Sequence, residues 1–255
     1  MPIMETRYFD IGKTPCKVYL PEGGQAAYAV LAVHGFGSSK ESPTITALAQ
    51  TMCPAGTAVY CFDFPAHGAH PDDGSAFTVQ ACADTLLSVA RHMRKTHDQS
   101  IGMSVFASSF GGYMALRCLD GLSEILGDGF ALVLRAPAVK MADTLEQVLI
   151  ADQMDELEQQ GAVEVGFSRK FEMHASFLDE LRECNVCVPY ARPMLVIHGS
   201  ADDIVPPPDI DEFMAVNPLA QLVRIPGAGH VLEGEEQLAK GMGAARSYFL
   251  NPIAP

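Results

Sequence analysis

The chain has 255 residues, 48 % hydrophobic and 19 % charged, with a formal net charge of −14. That length supplies one sizeable core, and such an acid excess repels both a nucleic-acid backbone and an anionic membrane surface. The longest apolar run, residues 26–33, is too short to span a bilayer, and MPIMETRYFD lacks the basic-then-apolar pattern of a secretory signal.

In chain order, residues 7–10 and 16–20 read as an opening hairpin around the polar turn Gly12-Lys13-Thr14. Residues 26–33 have the near-continuous apolar character of a strand buried on both faces, and they end at His34-Gly35-Phe36-Gly37-Ser38-Ser39. A glycine-bearing turn after a central strand can set a backbone N–H beside a nucleophile. Residues 41–51 pattern as a helix. Residues 58–64 pattern as another buried strand, followed by Pro65-Ala66-His67-Gly68-Ala69-His70-Pro71. On such a Pro/Gly loop, His67 and His70 suit local hydrogen bonding better than metal ligation. Residues 78–97 form a long amphipathic helix, with Val79, Cys82, Leu86, Val89 and Met93 at spacings of three and four.

Residues 103–108 then read as a short strand and residues 110–117 as the opening of a helix, so the turn at Ser109 between them is sharp. Ala107 and Gly111 lie two residues either side of Ser109 and give A-x-S-x-G, one methyl group from the G-x-S-x-G pattern of a nucleophile elbow. A helix starting at Phe110 points free N–H groups and its positive end toward that corner, where an oxyanion would develop. Taken alone, the same residues also suit a small-residue turn that packs a helix on a sheet. The distant partners decide between the two.

Residues 130–134 read as a further buried strand, ending at Arg135-Ala136-Pro137-Ala138. Alternating strands and helices to this point predict an α/β fold with a mostly parallel doubly wound sheet flanked by helices. Arg135 suits either a salt bridge at a helix end or to the cap, which is preferred, or the recognition of a substrate carboxylate. From 139 to 190 no strand is predicted. Residues 141–160 read as a helix bearing Asp143, Glu146, Asp152, Asp155, Glu156 and Glu158, an acidic run expected to be a solvated face; residues 175–184 read as a second helix. The expectation is a core of residues 1–138 and 191–255 and a small helical cap of residues 139–190 over the carboxyl edge of the sheet. Seven scattered cysteines, an odd number, suit a reducing, cytoplasmic setting. Cys184-x-x-Cys187 lacks the second pair that zinc would want, so neither metal nor cofactor is expected.

Residues 193–198 resume the strand pattern and lead into Gly199-Ser200-Ala201-Asp202-Asp203, with Pro206 opening the next helix. Residues 220–225 form the last strand, followed by Gly227-Ala228-Gly229-His230, and residues 233–250 form a closing amphipathic helix. Ser109, an acid at Asp202 or Asp203, and His230 therefore each follow a strand, and a parallel sheet brings them to one edge. A serine hydroxyl needs an imidazole to take its proton, and the imidazole needs a carboxylate to fix its tautomer. Asp202 is preferred, because Asp203 can cap the turn leading to Pro206.

The chain resembles the α/β-hydrolase superfamily from about residue 26 onward. HGFGSSK is similar to that family's oxyanion loop, ASSFGG to its elbow, HGSADDIVP to its acid loop, which falls on Asp202, and GAGH to its histidine loop. FDFPAHGAH resembles its D-x-x-G-H-G segment, whose histidine is structural; here Ala66 replaces a glycine, as Ala107 does in the elbow. The resemblance implies catalysis by Ser109, Asp202 and His230, with backbone N–H groups of Phe36 and Phe110 as the oxyanion hole. The HGF loop with a modest cap is similar to bacterial serine esterases of the cinnamoyl/feruloyl type. The resemblance thus implies a small-molecule acyl ester as substrate, with no nucleic acid or membrane partner; a homodimer is left open. Thioester or amide cleavage, or a non-catalytic ligand-binding role, are the alternatives within the same fold.

Overall fold

In the computed structural model, which describes residues 4–251, an antiparallel hairpin of β1 (Glu5–Ile11) and β2 (Thr14–Leu20) opens the chain. Strand β3 (Tyr28–Val33) follows, then helix α1 (Pro43–Met52). The helix starts at Pro43 because proline fixes φ in the first turn, where its missing N–H would have no partner anyway. Strand β4 (Thr57–Phe62) leads to α2 (Val79–Thr96), whose first turn is capped by the Thr78 hydroxyl accepting from the Ala81 N–H at 3.0 Å. Next come β5 (Gly102–Ser108) and α3 (Phe110–Arg117), then a helix absent from the sequence reading, α4 (Leu119–Leu126), and β6 (Ala131–Arg135).

The segment that follows comprises α5 (Met141–Thr144), a π turn and a 3-10 turn, α6 (Met154–Gln160), β7 (Ala162–Val165), β8 (Phe171–His174) and α7 (Ala175–Arg182). Strand β9 (Met194–Gly199), α8 (Pro207–Val216), β10 (Ala220–Ile225) and α9 (Glu235–Leu250) complete the chain.

The main sheet has the order β1-β2-β4-β3-β5-β6-β9-β10, parallel from β4 to β10 and antiparallel at β1–β2 and β2–β4. Its alternating residues explain the two helical layers. Ala29, Leu31 and Val33 join one apolar cluster with α2, α3, α4 and α8, while Val30 and Ala32 join another with α1 and α9. The mostly parallel doubly wound α/β sheet read from the sequence is the fold observed. Because β3 lies between β4 and β5, the chain leaves the ends of β3 and β5 in opposite directions. The crevice opened there is where such sheets bind ligands.

One expectation needs correction: residues 139–190 are not purely helical, since β7 and β8 form an antiparallel hairpin. Val163, Val165, Phe171 and Met173 are buried while Glu164 and Glu172 are exposed, a period of two that is too brief over four residues to stand out. The helical stretch before it is also broken into short turns. This segment is pinned to the loops below it. The Arg169 guanidinium donates to the carbonyls of His70 and Asp72, and the Glu180 carboxylate accepts the Val79 N–H at 2.8 Å, capping α2. The acidic run is solvated: Asp143, Asp152, Asp155, Glu156 and Glu158 are exposed, and Glu146 pairs with Arg182 at 2.8 Å. Among the described residues no helix is long and apolar enough to cross a membrane.

Candidate active site

Ser109 sits between β5 and α3 with φ 53° and ψ −120°, a conformation that strains any residue with a side chain. Backbone hydrogen bonds hold it there. Its N–H donates to the Arg135 carbonyl at 2.9 Å, and its carbonyl accepts from Gly112 at 2.8 Å and Ala138 at 3.1 Å. Gly111 permits the close approach of the helix start to the neighbouring strand: a Cβ there would lie 2.5 Å from the His34 carbonyl oxygen and 2.7 Å from that of Val33. Ala107 takes the elbow's first small position and its methyl is fully buried in the core.

The three residues predicted to converge do so. Ser109 Oγ lies 3.0 Å from His230 Nε2, and His230 Nδ1 lies 2.9 Å from Asp202 Oδ2. Asp202 is buried and is the acid that pairs with His230, whereas Asp203 is exposed. Asp202 Oδ1 also accepts the N–H groups of Ile204 at 3.0 Å and Val205 at 2.9 Å. Burial opposes ionisation of Asp202, but hydrogen bonds from His198 and His230 outweigh it and hold the carboxyl well below the usual carboxylate range. An ionised Asp202 requires the proton of His230 on Nδ1, which leaves Nε2 free to accept from the serine hydroxyl.

Contacts that no local pattern announces complete this arrangement. His198 Nε2 lies 3.0 Å from the Val205 carbonyl and 3.2 Å from Asp202 Oδ2, while its Nδ1 is 3.3 Å from the Arg224 guanidinium. A guanidinium only donates, so Nδ1 accepts and Nε2 carries the proton, shared between the Val205 carbonyl and the Asp202 carboxylate. Arg135 forms no helix-end or cap salt bridge among the described residues; its buried guanidinium donates to Ser108 Oγ at 3.1 Å and to the backbone carbonyl of His230. No local pattern could have revealed this, because the second partner is a main-chain atom 95 residues away.

The loop after β3 is held by two buried histidines. His67 Nε2 accepts the Gly37 N–H at 2.9 Å while its Nδ1–H donates to the Pro65 carbonyl at 2.9 Å. His34 Nε2 accepts the Phe64 N–H at 3.1 Å, so its Nδ1–H donates to the Gly35 carbonyl at 2.8 Å. Both rings must be neutral to accept. Burial pushes the His67 imidazole down to about 3 and also lowers His34. Asp63 ties the adjoining loops together, accepting from the Lys40 N–H at 2.7 Å, Lys40 Nζ at 2.6 Å and the Ala69 N–H at 2.8 Å. Among the described residues, the backbone N–H groups of Phe36 and Phe110 have no protein acceptor, while their rings are buried and edge-on at 6.4 Å. No three His, Cys, Asp or Glu side chains among the described residues cluster as a metal site.

A strand-to-helix elbow bearing serine, beside a histidine and a buried aspartate at the switch point of a mostly parallel sheet, is the architecture of a hydrolase class. The chain belongs to the alpha/beta hydrolase family, whose family model matches residues 30–240. No curated protein sequence matches it significantly. Solved structures share the fold at low identity. Est1E from Butyrivibrio proteoclasticus is 19 % identical with a TM-score of 0.75, covering 96 % of this chain and 97 % of its own; with ferulic acid bound, the values are 20 %, 0.74, 96 % and 98 %. The mouse alpha/beta hydrolase domain-containing protein 10 is 17 % identical (TM-score 0.72, coverage 95 % and 97 %). An α/β serine hydrolase without a lid from Xanthomonas campestris is 22 % identical (TM-score 0.63, coverage 99 % and 97 %).

Proposed function

We propose that this protein is a serine carboxylic-ester hydrolase acting on small or aromatic acyl esters. The observation that carries the reading is the continuous chain from Ser109 Oγ through His230 to Asp202, at 3.0 Å and 2.9 Å. In the proposed reaction, Ser109 attacks the acyl carbonyl as His230 Nε2 takes its proton. The negative charge that develops on the carbonyl oxygen is received by the N–H groups of Phe36 and Phe110, each worth about 3 kcal/mol by analogy with other oxyanion donors. His230 returns the proton to the leaving alcohol, and an acyl group remains on Ser109. Water, activated by the same imidazole, then releases the acid and restores the hydroxyl.

An apolar rim favours an apolar substrate. Phe167, 74 % exposed at the tip of the β7–β8 hairpin, lies against Gly37 in the proposed oxyanion loop, and Val231, 55 % exposed, follows His230. We read residues 139–190 as a cap carrying Phe167 to the site, with substrate choice residing in that segment. Seven free thiols agree with a reducing, cytoplasmic setting.

The test is turnover of p-nitrophenyl acetate, p-nitrophenyl butyrate and methyl cinnamate, beside matched thioesters and aminoacyl anilides. Ester cleavage that disappears in Ser109→Ala is expected. Preference for a thioester or anilide would move the assignment to another class, and inertness of every acyl donor would overturn it.

A further inference from the structure

Arg135 ends β6 with a guanidinium that is almost wholly buried and, among the described residues, has no carboxylate within ion-pair distance. A buried charge without a direct counterion is costly, so its place calls for an explanation. Burial lowers it to about 10, which still leaves it cationic at neutral pH. Its contacts are distributed in a particular way. Nε donates to the hydroxyl of Ser108, the residue before the nucleophile, at 3.1 Å, and another nitrogen donates to the His230 carbonyl. Its own carbonyl accepts the Ser109 N–H at 2.9 Å. One residue thus grips both sides of the Ser109–His230 contact, whose members are 121 residues apart in the chain.

The far side of the histidine loop is secured as well. The Glu233 carboxylate accepts the Gly229 N–H at 2.9 Å, and Leu232 holds a φ of 56°. Arg135 therefore fixes the carbonyl side of a loop whose N–H side is fixed by Glu233.

We propose that Arg135 is a positioning residue, which sets the His230 imidazole at its distance from the Ser109 hydroxyl and whose charge opposes protonation of that imidazole. The inference rests on the serine-hydrolase reading above. The ionisable groups around His230 are Asp202 from the loop after β9, His198 from β9 with Arg224 of β10 behind it, and Glu233 ahead of α9. Asp202 and Glu233 both favour an imidazolium. Arg135 bonds to the His230 backbone itself, and its removal takes away a cation that interacts with both of those carboxylates.

The experiment compares wild type, Arg135→Gln and Arg135→Lys by NMR titration of the His230 ring and by the rate of Ser109 modification with a fluorophosphonate. Gln keeps hydrogen-bonding groups and loses the charge; Lys keeps the charge and loses the planar fork. The His230 midpoint is expected to rise by roughly half a pH unit or more in Arg135→Gln and to stay near wild type in Arg135→Lys. Ser109 modification is expected to slow about tenfold or more in both, since small displacements of a catalytic pair are expensive. Scaffolding alone would lower the melting temperature without moving the His230 midpoint, so an unchanged midpoint in Arg135→Gln overturns the electrostatic role. A wild-type modification rate in Arg135→Lys overturns the positioning role, and decides it even if Arg135→Gln does not fold. Failure of wild-type Ser109 to react would count against the hydrolase reading, while the titration would still decide the influence of Arg135 on His230.

Discussion

Replacing Asp202 by asparagine keeps the shape of the site and reverses one hydrogen-bonding direction. Oδ1 accepts two backbone N–H groups, from Ile204 at 3.0 Å and Val205 at 2.9 Å, and only the amide oxygen of asparagine can take that position. The new NH₂ then occupies the place of Oδ2, facing His230 Nδ1 at 2.9 Å and the His198 Nε2–H at 3.2 Å. Donating to His230 Nδ1 forces the ring proton onto Nε2, where it meets the serine hydroxyl as a donor and can no longer remove its proton. The loss in kcat should be roughly 10⁴-fold, or about 5.5 kcal/mol of barrier. Stability should fall by only about 1–3 kcal/mol, because the two backbone bonds survive while two charge-assisted ones are lost. The assay is kcat/KM on p-nitrophenyl butyrate at pH 7.5, with urea melts to confirm folding. Asp203→Asn, altering an exposed neighbour, should retain wild-type activity. A folded Asp202→Asn within tenfold of wild type would show that this carboxylate does not set the His230 tautomer.

Three further outcomes follow from the same geometry. Gly111→Ala forces a methyl into backbone oxygens that cannot yield, 2.5 Å and 2.7 Å away, so kcat should drop by about 100-fold or more and stability by about 1–3 kcal/mol; normal kinetics would show the elbow to be slack. His67 is neutral when folded, with its imidazole lowered to about 3 by burial, whereas the unfolded chain protonates it below about 6.5. The unfolded state therefore gains protons as pH falls, and unfolding free energy should decrease by roughly 1.5 kcal/mol between pH 6.5 and 5 from this residue alone. Urea melts across that window test this, and a slope unchanged in a folded His67→Gln variant would contradict it. Phe167→Ala should raise KM for cinnamoyl esters several-fold with little effect on acetate, as steady-state kinetics would report; an equal effect on both would remove Phe167 from the substrate's surroundings.

Much of this was legible because the chemistry lies at strand ends. Buried strands announce themselves as apolar runs, and residues 103–108 followed by small residues left Ser109 nowhere to be but a sharp corner. The same logic put Asp202 and His230 on the same edge, and in the fold the three form a chain of hydrogen-bond distances. What escaped reading depends on contacts rather than on period. The β7–β8 hairpin is too short for its alternation to register, and it is held in place by Arg169 and by Phe171, whose ring lies against those of Phe36, His67 and Phe77. Helix α4 follows α3 after a bend at Cys118, where φ is −100° and ψ 15°, so its pattern merges with the preceding helix. The contacts of His198 and Arg135 also stayed hidden. A histidine ending a strand and an arginine ending another carry no sign of which atoms they will meet across the sheet.

Activation of Ser109 by His230 is tested most directly by treating wild type and His230→Ala with a fluorophosphonate and locating the adduct by mass spectrometry. A single adduct on Ser109 is expected in wild type, formed at least 100-fold more slowly in the variant. Modification elsewhere in wild type, or an undiminished rate without the imidazole, would contradict it.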